Sequence, residues 1–305
     1  MKTDIKQLFE KLDGKSSVGA TELFAQFVRR EEDFCPTSDE VEWLIQRYGE
    51  RGSWLAYALL DFIPSAQLVN HVWALARLRC FSPYTSVQNI AEKLADKIPV
   101  AELAKKLRLL IKLAVTDFND ERHEYENYSI IEGLIKKISS KQLARRLNML
   151  LGSIQNFDSF TPRNFVREIL DEYIVVDDLS AQMETIKRYQ AEEWSTEVRA
   201  VAIELEYRVV RNLPPQELTS QIDYWLERYE FLRDNHNELC SSLPNRVLEM
   251  TLRGALFCTR EQIVALQPRL QNLKIDSRGE NADWTARGLV ELLWKENRER
   301  EKEKE

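Results

Sequence analysis

The side chains with the widest chemical reach in this 305-residue chain are four cysteines and three histidines. A zinc site or a dithiol redox centre needs its ligands in close pairs. Cys35, Cys80, Cys240 and Cys258 form no CxxC or other close pair, and read instead as reduced, mostly buried thiols. His71, His123 and His236 are just as scattered, and none stands in an HExxH-type pattern. The phosphate-cradling GxxxxGK[ST], the dinucleotide GxGxxG and the nucleophile elbow GxSxG do not occur. Carboxylates are everywhere among 50 Asp and Glu, so no one pair marks an acid–base centre. The expectation is no catalytic residue, no metal and no cofactor.

Charge then becomes the chemistry to follow. Phosphate binding needs clustered Lys and Arg, so a formal net charge of −7 disfavours a general nucleic-acid binder and leaves protein as the expected partner. The apolar runs are far shorter than the roughly 18 residues of a membrane span. The opening MKTDIKQLFEKLDGK is charged throughout and lacks a signal peptide's apolar stretch. The expected location is cytoplasmic, with no membrane contact.

The elements that must position these charges come from a repeat. An amphipathic helix, an apolar residue, a polar or Pro turn and a second amphipathic helix recur six times, in segments such as DKIPVAELAKKLRLLIKL, KKISSKQLARRLNMLLGS and VRNLPPQELTSQIDYWLER. Anchored on Leu68, Leu103, Leu143, Leu179, Leu218 and Ile263, the copies lie 35 to 45 residues apart. Two-helix solenoid repeats have periods of roughly 34 to 47. Five residues before each anchor stand Ile63, Ile98, Ile138, Ile174, Leu213 and Cys258, and seven after stand Leu75, Leu110, Leu150, Ile186, Trp225 and Leu270. Nine and thirteen before, the positions are apolar except Gly254, and steps of four keep them on one helical face. Pro64, Pro99 and Pro214–Pro215 fall where one helix must stop and the next begin. Ser139–Ser140 and Asp177–Asp178 offer capping oxygens at the same place in other copies.

The phrase VRAVAIELEYRVVRNLPPQELTSQIDYWL, from Val198, resembles a HEAT unit, with VREILDEYI from Val166 a weaker copy. The Asp that usually precedes Val-Arg is replaced by Glu197 and Phe165. The resemblance covers residues 38 to 294. It implies an all-α fold, a right-handed α-solenoid of antiparallel helix hairpins of HEAT/ARM type. Residues 1–37 would form an N-terminal cap, 38–281 the hairpin repeats, and 282–305 a last helix with a charged tail. The resemblance also makes the Val-Arg helix the inner one.

Opposite the core stripe of that helix lie positions eleven and seven before the anchor. They present Tyr57, Glu92, Glu132, Glu168 and Tyr207, then Asp96 and Glu172. This is the expected partner-binding face, suited to a basic or helical protein segment. The second helix of two copies carries a basic patch of Lys105, Lys106, Arg108, Lys112, Lys141, Arg145 and Arg146 on the other side. The function expected is a non-enzymatic protein-interaction scaffold. HEAT-like DNA glycosylases would need a basic inner groove where this register puts acid. The alternatives are a nucleic-acid-binding or DNA-repair enzyme on this scaffold working through the basic patch, a bilin-lyase-like activity, or an immunity-type protein that masks another enzyme.

Overall fold

The computed structural model describes residues 63–72, 96–114, 131–156, 160–235, 241–271 and 295. These residues form helices and turns and no strand. No helix among them is long and apolar enough to cross a membrane. Tyr57 and Glu92 lie outside the described residues, as do both terminal segments apart from residue 295. The chain divides into two compact units, Met1–Leu143 and Ala144–Glu305.

In the first unit a short 3-10 helix, Leu68–His71, precedes α1 (Val100–Lys105), α2 (Leu107–Ala114) and a helical run over 131–136. Helix α3 (Ser140–Ala144) carries the chain across the boundary. The second unit contains α4 (Leu147–Gln155), α5 (Phe160–Glu172), α6 (Val176–Ser180), α7 (Met183–Arg188) and α8 (Thr196–Val210). Then come α9 (Pro215–Thr219), α10 (Ile222–Asp234), α11 (Leu243–Ala255) and α12 (Arg260–Gln271).

The sequence register reappears in the backbone. Each of the six anchors donates its N–H to the carbonyl four residues earlier: Leu68 to Pro64, Leu103 to Pro99, Leu143 to Ser139, Leu179 to Val175, Leu218 to Pro214, and Ile263 to Thr259. Three residues past the anchor the helix breaks, in four copies with nearly one geometry. Lys106 has φ −101° and ψ 13°, and Arg146 −100° and 8°. Gln182 has −111° and 16°, and Gln221 −115° and 9°. These values lie in the sparsely allowed bridge region, where a helical turn closes without continuing. The carbonyl of each break residue then accepts the N–H of the residue four further on, at 3.0 Å every time: Leu110, Leu150, Ile186 and Trp225. The second helix of each of these copies is therefore two helices, a short leading turn and a longer follower. Helix α12 has no such break and carries Pro268 in its interior instead.

The turns hold by different means. Ser139 and Gln142 form a reciprocal capping box, in which the Gln142 N–H donates to Ser139 Oγ and the Ser139 N–H to Gln142 Oε1. Thr259 and Gln262 repeat it. Asp177 and Asp178 do not occupy the cap position expected of them. The cap position of α6 is Val175, and the two acids sit in the first turn, where their charge suits the positive helix end.

All six anchors are buried, and so are Ile98, Ile138 and Ile174 five before and Leu110, Leu150, Ile186 and Trp225 seven after. Val209 and Leu213 depart from this and are only half-buried. Helix α8 explains the departure. It packs against α4, α5, α6 and α7, and every residue from Ala200 to Glu206 is buried. Over that stretch the helix shows no single core stripe, whereas Tyr207, Arg208 and Val209 beyond it are half-buried. Helix α11 packs against both α9 and α10, and Leu252, eleven before its anchor, is buried rather than exposed, while Arg246 and Arg253 of the same helix are exposed.

Candidate functional site

Enclosing α8 buries two glutamates, and a buried carboxylate needs partners. Glu204 takes Arg167 of α5, whose Nη2 lies 2.8 Å from Glu204 Oε2. Arg167 Nε also lies 3.4 Å from Asp171, one turn along α5. Arg208, one turn beyond Glu204, reaches back to the same aspartate at 3.4 Å. Its guanidinium donates to the carbonyls of Leu170 at 2.7 Å, and of Asp171 and Ile174 at 3.0 Å. Helix C-termini leave carbonyls without intrahelical partners, and this arginine satisfies the end of α5 from the next helix. Arg163 and Glu197 add an ion pair at 3.7 Å nearer the start of α8.

This arrangement consumes positive charge inward. The expected face residues on these helices are Glu168 and Glu172 of α5 and Tyr207 of α8, with Arg211 at the cap of α8. Glu168 and Tyr207 are half-buried, Glu172 and Arg211 exposed. Burial, then the neighbouring Glu172 charge, raises the Glu168 carboxyl above its ordinary range. Asp171 is pushed up to about 6, first by burial and then by Glu204, against the pull of Arg167 and Arg208.

The other expected residues lie in different surroundings. In the first unit Glu132 is half-buried and ion-paired with Lys136 one turn on, and exposed Asp96 is paired with Lys137. Within the basic patch all seven side chains are exposed. Lys105 is paired at 2.6 Å with Glu102, an acid just ahead of the stretch that carries the patch. Lys106 and Arg146 occupy the break positions, Lys106 in the first unit and Arg146 in the second.

A second cluster in the second unit has no sequence signature. Gln190 follows α7 and is buried. Its Nε2 donates to Glu206 Oε2 at 2.7 Å, and the Tyr224 hydroxyl of α10 donates to the same oxygen at 2.6 Å. Arg228 Nε donates to Gln190 Oε1 at 2.9 Å, and Arg199 Nε to the Gln190 carbonyl at 3.1 Å. The Arg228 guanidinium lies 4.4 Å from the Tyr224 ring centre, and that of Arg199 3.9 Å from the Phe231 ring centre. One glutamine thus ties together α7, α8 and α10 through partners up to 38 residues away. The signal that would have exposed the glutamates is the run AVAIELEY, apolar on every side apart from them.

Among the described residues no three His, Cys, Asp or Glu side chains are grouped so as to hold a metal ion. No known protein family, curated protein or solved structure matches this chain.

Proposed function

We propose that this chain is a HEAT-like α-solenoid that works as a protein-binding scaffold, and that the outward face of α5 and α8 takes a basic, helical segment of another protein. Three facts support the architecture: the anchor hydrogen bond in six copies, the break geometry in four, and polar bonds that link one copy to the next. Those bonds are Lys137 to Asp96, Tyr189 to Asn148 at 2.8 Å, Arg228 to Gln190 at 2.9 Å, and Arg269 to Asp223 at 2.9 Å. Solenoid repeats are held by such nearest-neighbour contacts.

The observation that carries the binding face is the engagement of two of its arginines, Arg167 and Arg208, while Arg211 at the end of α8 stays exposed. Arg167 is engaged with Glu204 and Asp171, and Arg208 with Asp171 and three carbonyls. Glu168 and Glu172 lie one turn apart on α5, and the Glu172 charge adds to burial in raising the Glu168 carboxyl above its ordinary range. A cationic segment laid along them relieves that repulsion, and Tyr207 supplies aromatic contact area beside them.

Selection of helical peptides from a displayed library tests this. Enriched peptides should be basic, and binding should fall by roughly tenfold or more in a Glu168→Lys, Glu172→Lys double variant. Enrichment of neutral or acidic peptides, or unchanged binding in that variant, would overturn the reading. Binding to duplex DNA and RNA at two salt concentrations separates it from a nucleic-acid function, which predicts binding at low salt.

A further inference from the structure

We propose that Arg199 and Arg228 form a paired-guanidinium site for a phosphate monoester in the second unit, built from residues other than those of the α5–α8 face. Both side chains are fixed by the same residue. Arg199 Nε is held by the Gln190 carbonyl and Arg228 Nε by the Gln190 side-chain oxygen. Both guanidinium planes lie over aromatic rings, Arg199 on Phe231 and Arg228 on Tyr224. Gln190 cannot swing, because its amide nitrogen is committed to Glu206, which is itself held by Tyr224.

These contacts occupy the Nε of each arginine and one face of each plane. The terminal amino groups, which make the outer edge of the fork, have no hydrogen-bond or ion-pair partner among the described residues. Both residues are half-buried, which leaves part of each side chain to solvent. The two cations are close enough to act on each other: burial lowers the Arg199 pKa first, and Arg228 lowers it further. The exposed Glu192 opposes this by its charge, which counts ahead of that of Arg228. Lys187, exposed and 5.9 Å from the Tyr224 ring centre, stands beside the pair, and 3.8 Å from Glu206.

Two like charges held side by side on rigid supports, their donors unspent, are preorganised for an anion. The number of donors selects which anion. One guanidinium fork saturates a carboxylate through its two oxygens. A phosphate monoester has three terminal oxygens and roughly two charges, so it engages two forks at once. The chemistry is the same whether the phosphate is free or carried on a phosphorylated side chain.

The Arg Nε–H groups bonded to Gln190 are protected from exchange and serve as reporters. The 15N-labelled full-length protein is titrated with inorganic phosphate, with a short phosphoserine peptide, and with the same peptide bearing Ser or Glu in place of phosphoserine. The expected result is a shift of the Arg199 and Arg228 Nε–H signals with phosphate and phosphopeptide, and little with the two control peptides. Tighter binding of the phosphopeptide than of phosphate assigns the site to a modified protein segment, and the reverse order assigns it to the free anion. Arg199→Lys and Arg228→Lys keep the charge but lose the fork, and each should weaken binding roughly tenfold. Arg246→Lys, on exposed α11 surface, should leave it unchanged. Circular dichroism establishes that each variant is folded. The inference is overturned by absence of any shift at millimolar phosphate, by equal binding of the Glu peptide, or by lysine variants that are folded and bind as tightly as the parent.

Discussion

Gly254 lies directly against Leu218: a Cβ built on Gly254 would stand 3.0 Å from the Leu218 Cβ and 3.2 Å from its carbonyl carbon. The Thr219 hydroxyl lies 2.9 Å from the Gly254 carbonyl, so α9 and α11 meet here backbone to backbone. Mid-helix Gly→Ala ordinarily stabilises by roughly 0.5–1 kcal/mol. At this position the obstacle is the backbone of a hydrogen-bonded turn, which has little room to move. Gly254→Ala is therefore expected to destabilise by about 1–2 kcal/mol. Denaturant unfolding checks the sign, and a rise in the midpoint would contradict the close approach.

Arg208 closes the end of α5 through three carbonyls and one carboxylate. A lysine there keeps the charge but cannot present the same planar array of donors. Arg208→Lys should lose about 2–3 kcal/mol, because buried carbonyls are left without partners. Hydrogen exchange of the N–H groups in the last turn of α5 should accelerate, while that of α11 should not.

The raised Asp171 gives a pH dependence with a defined sign. Its carboxyl titrates near 3.8 when free and at about 6 in the fold, so between those values the folded state holds more protons than the unfolded state. Stability from this group is therefore present at low pH and lost as pH rises through about 6. Asp171→Asn removes the titration. The melting temperature of the wild type, relative to that variant, should fall between pH 4 and pH 6 and then level. A difference that rises over that window would contradict the burial of Asp171.

Tyr224 donates to a buried carboxylate, and burial, the hydrogen bond and the charge of Glu206 together push its phenol up to about 12. Glu206→Gln removes the charge and should bring that titration down. The phenolate absorbance of each protein, corrected with Tyr224→Phe, measures the shift. An unchanged midpoint would mean that Glu206 does not govern Tyr224.

The repeat was legible because every copy needs the same apolar positions around the same turn. Leu143 and Leu179 are fully buried where the register puts them. The breaks were not legible, since Lys106, Arg146, Gln182 and Gln221 share only length and polarity. That Glu168 and Glu172 lie off the buried core of α5 was legible because an amphipathic helix shows its apolar stripe in its own sequence. Gln190, Arg199 and Arg228 were missed because their association is tertiary. Nothing local distinguishes these residues from ordinary surface side chains. Periodicity also failed at Val209 on α8, which is less buried than its register predicts, and at Leu252 on α11, which packs against two helices at once.

The short leading turns bear on how the chain matures. Helices α1, α3, α6 and α9 each have five or six residues, and isolated helices under roughly 12–15 residues do not persist in water. In the second unit the support for these segments comes later in the chain: α6 and α7 lean on α8, and α9 and α10 on α11. During synthesis each such pair leaves the ribosome before the helix that holds it. The growing polypeptide thus trails an unfinished pair until the following helix emerges. A truncation after Asn235 would strand α9 and α10 in that state, with Leu218 and Trp225 bared to solvent.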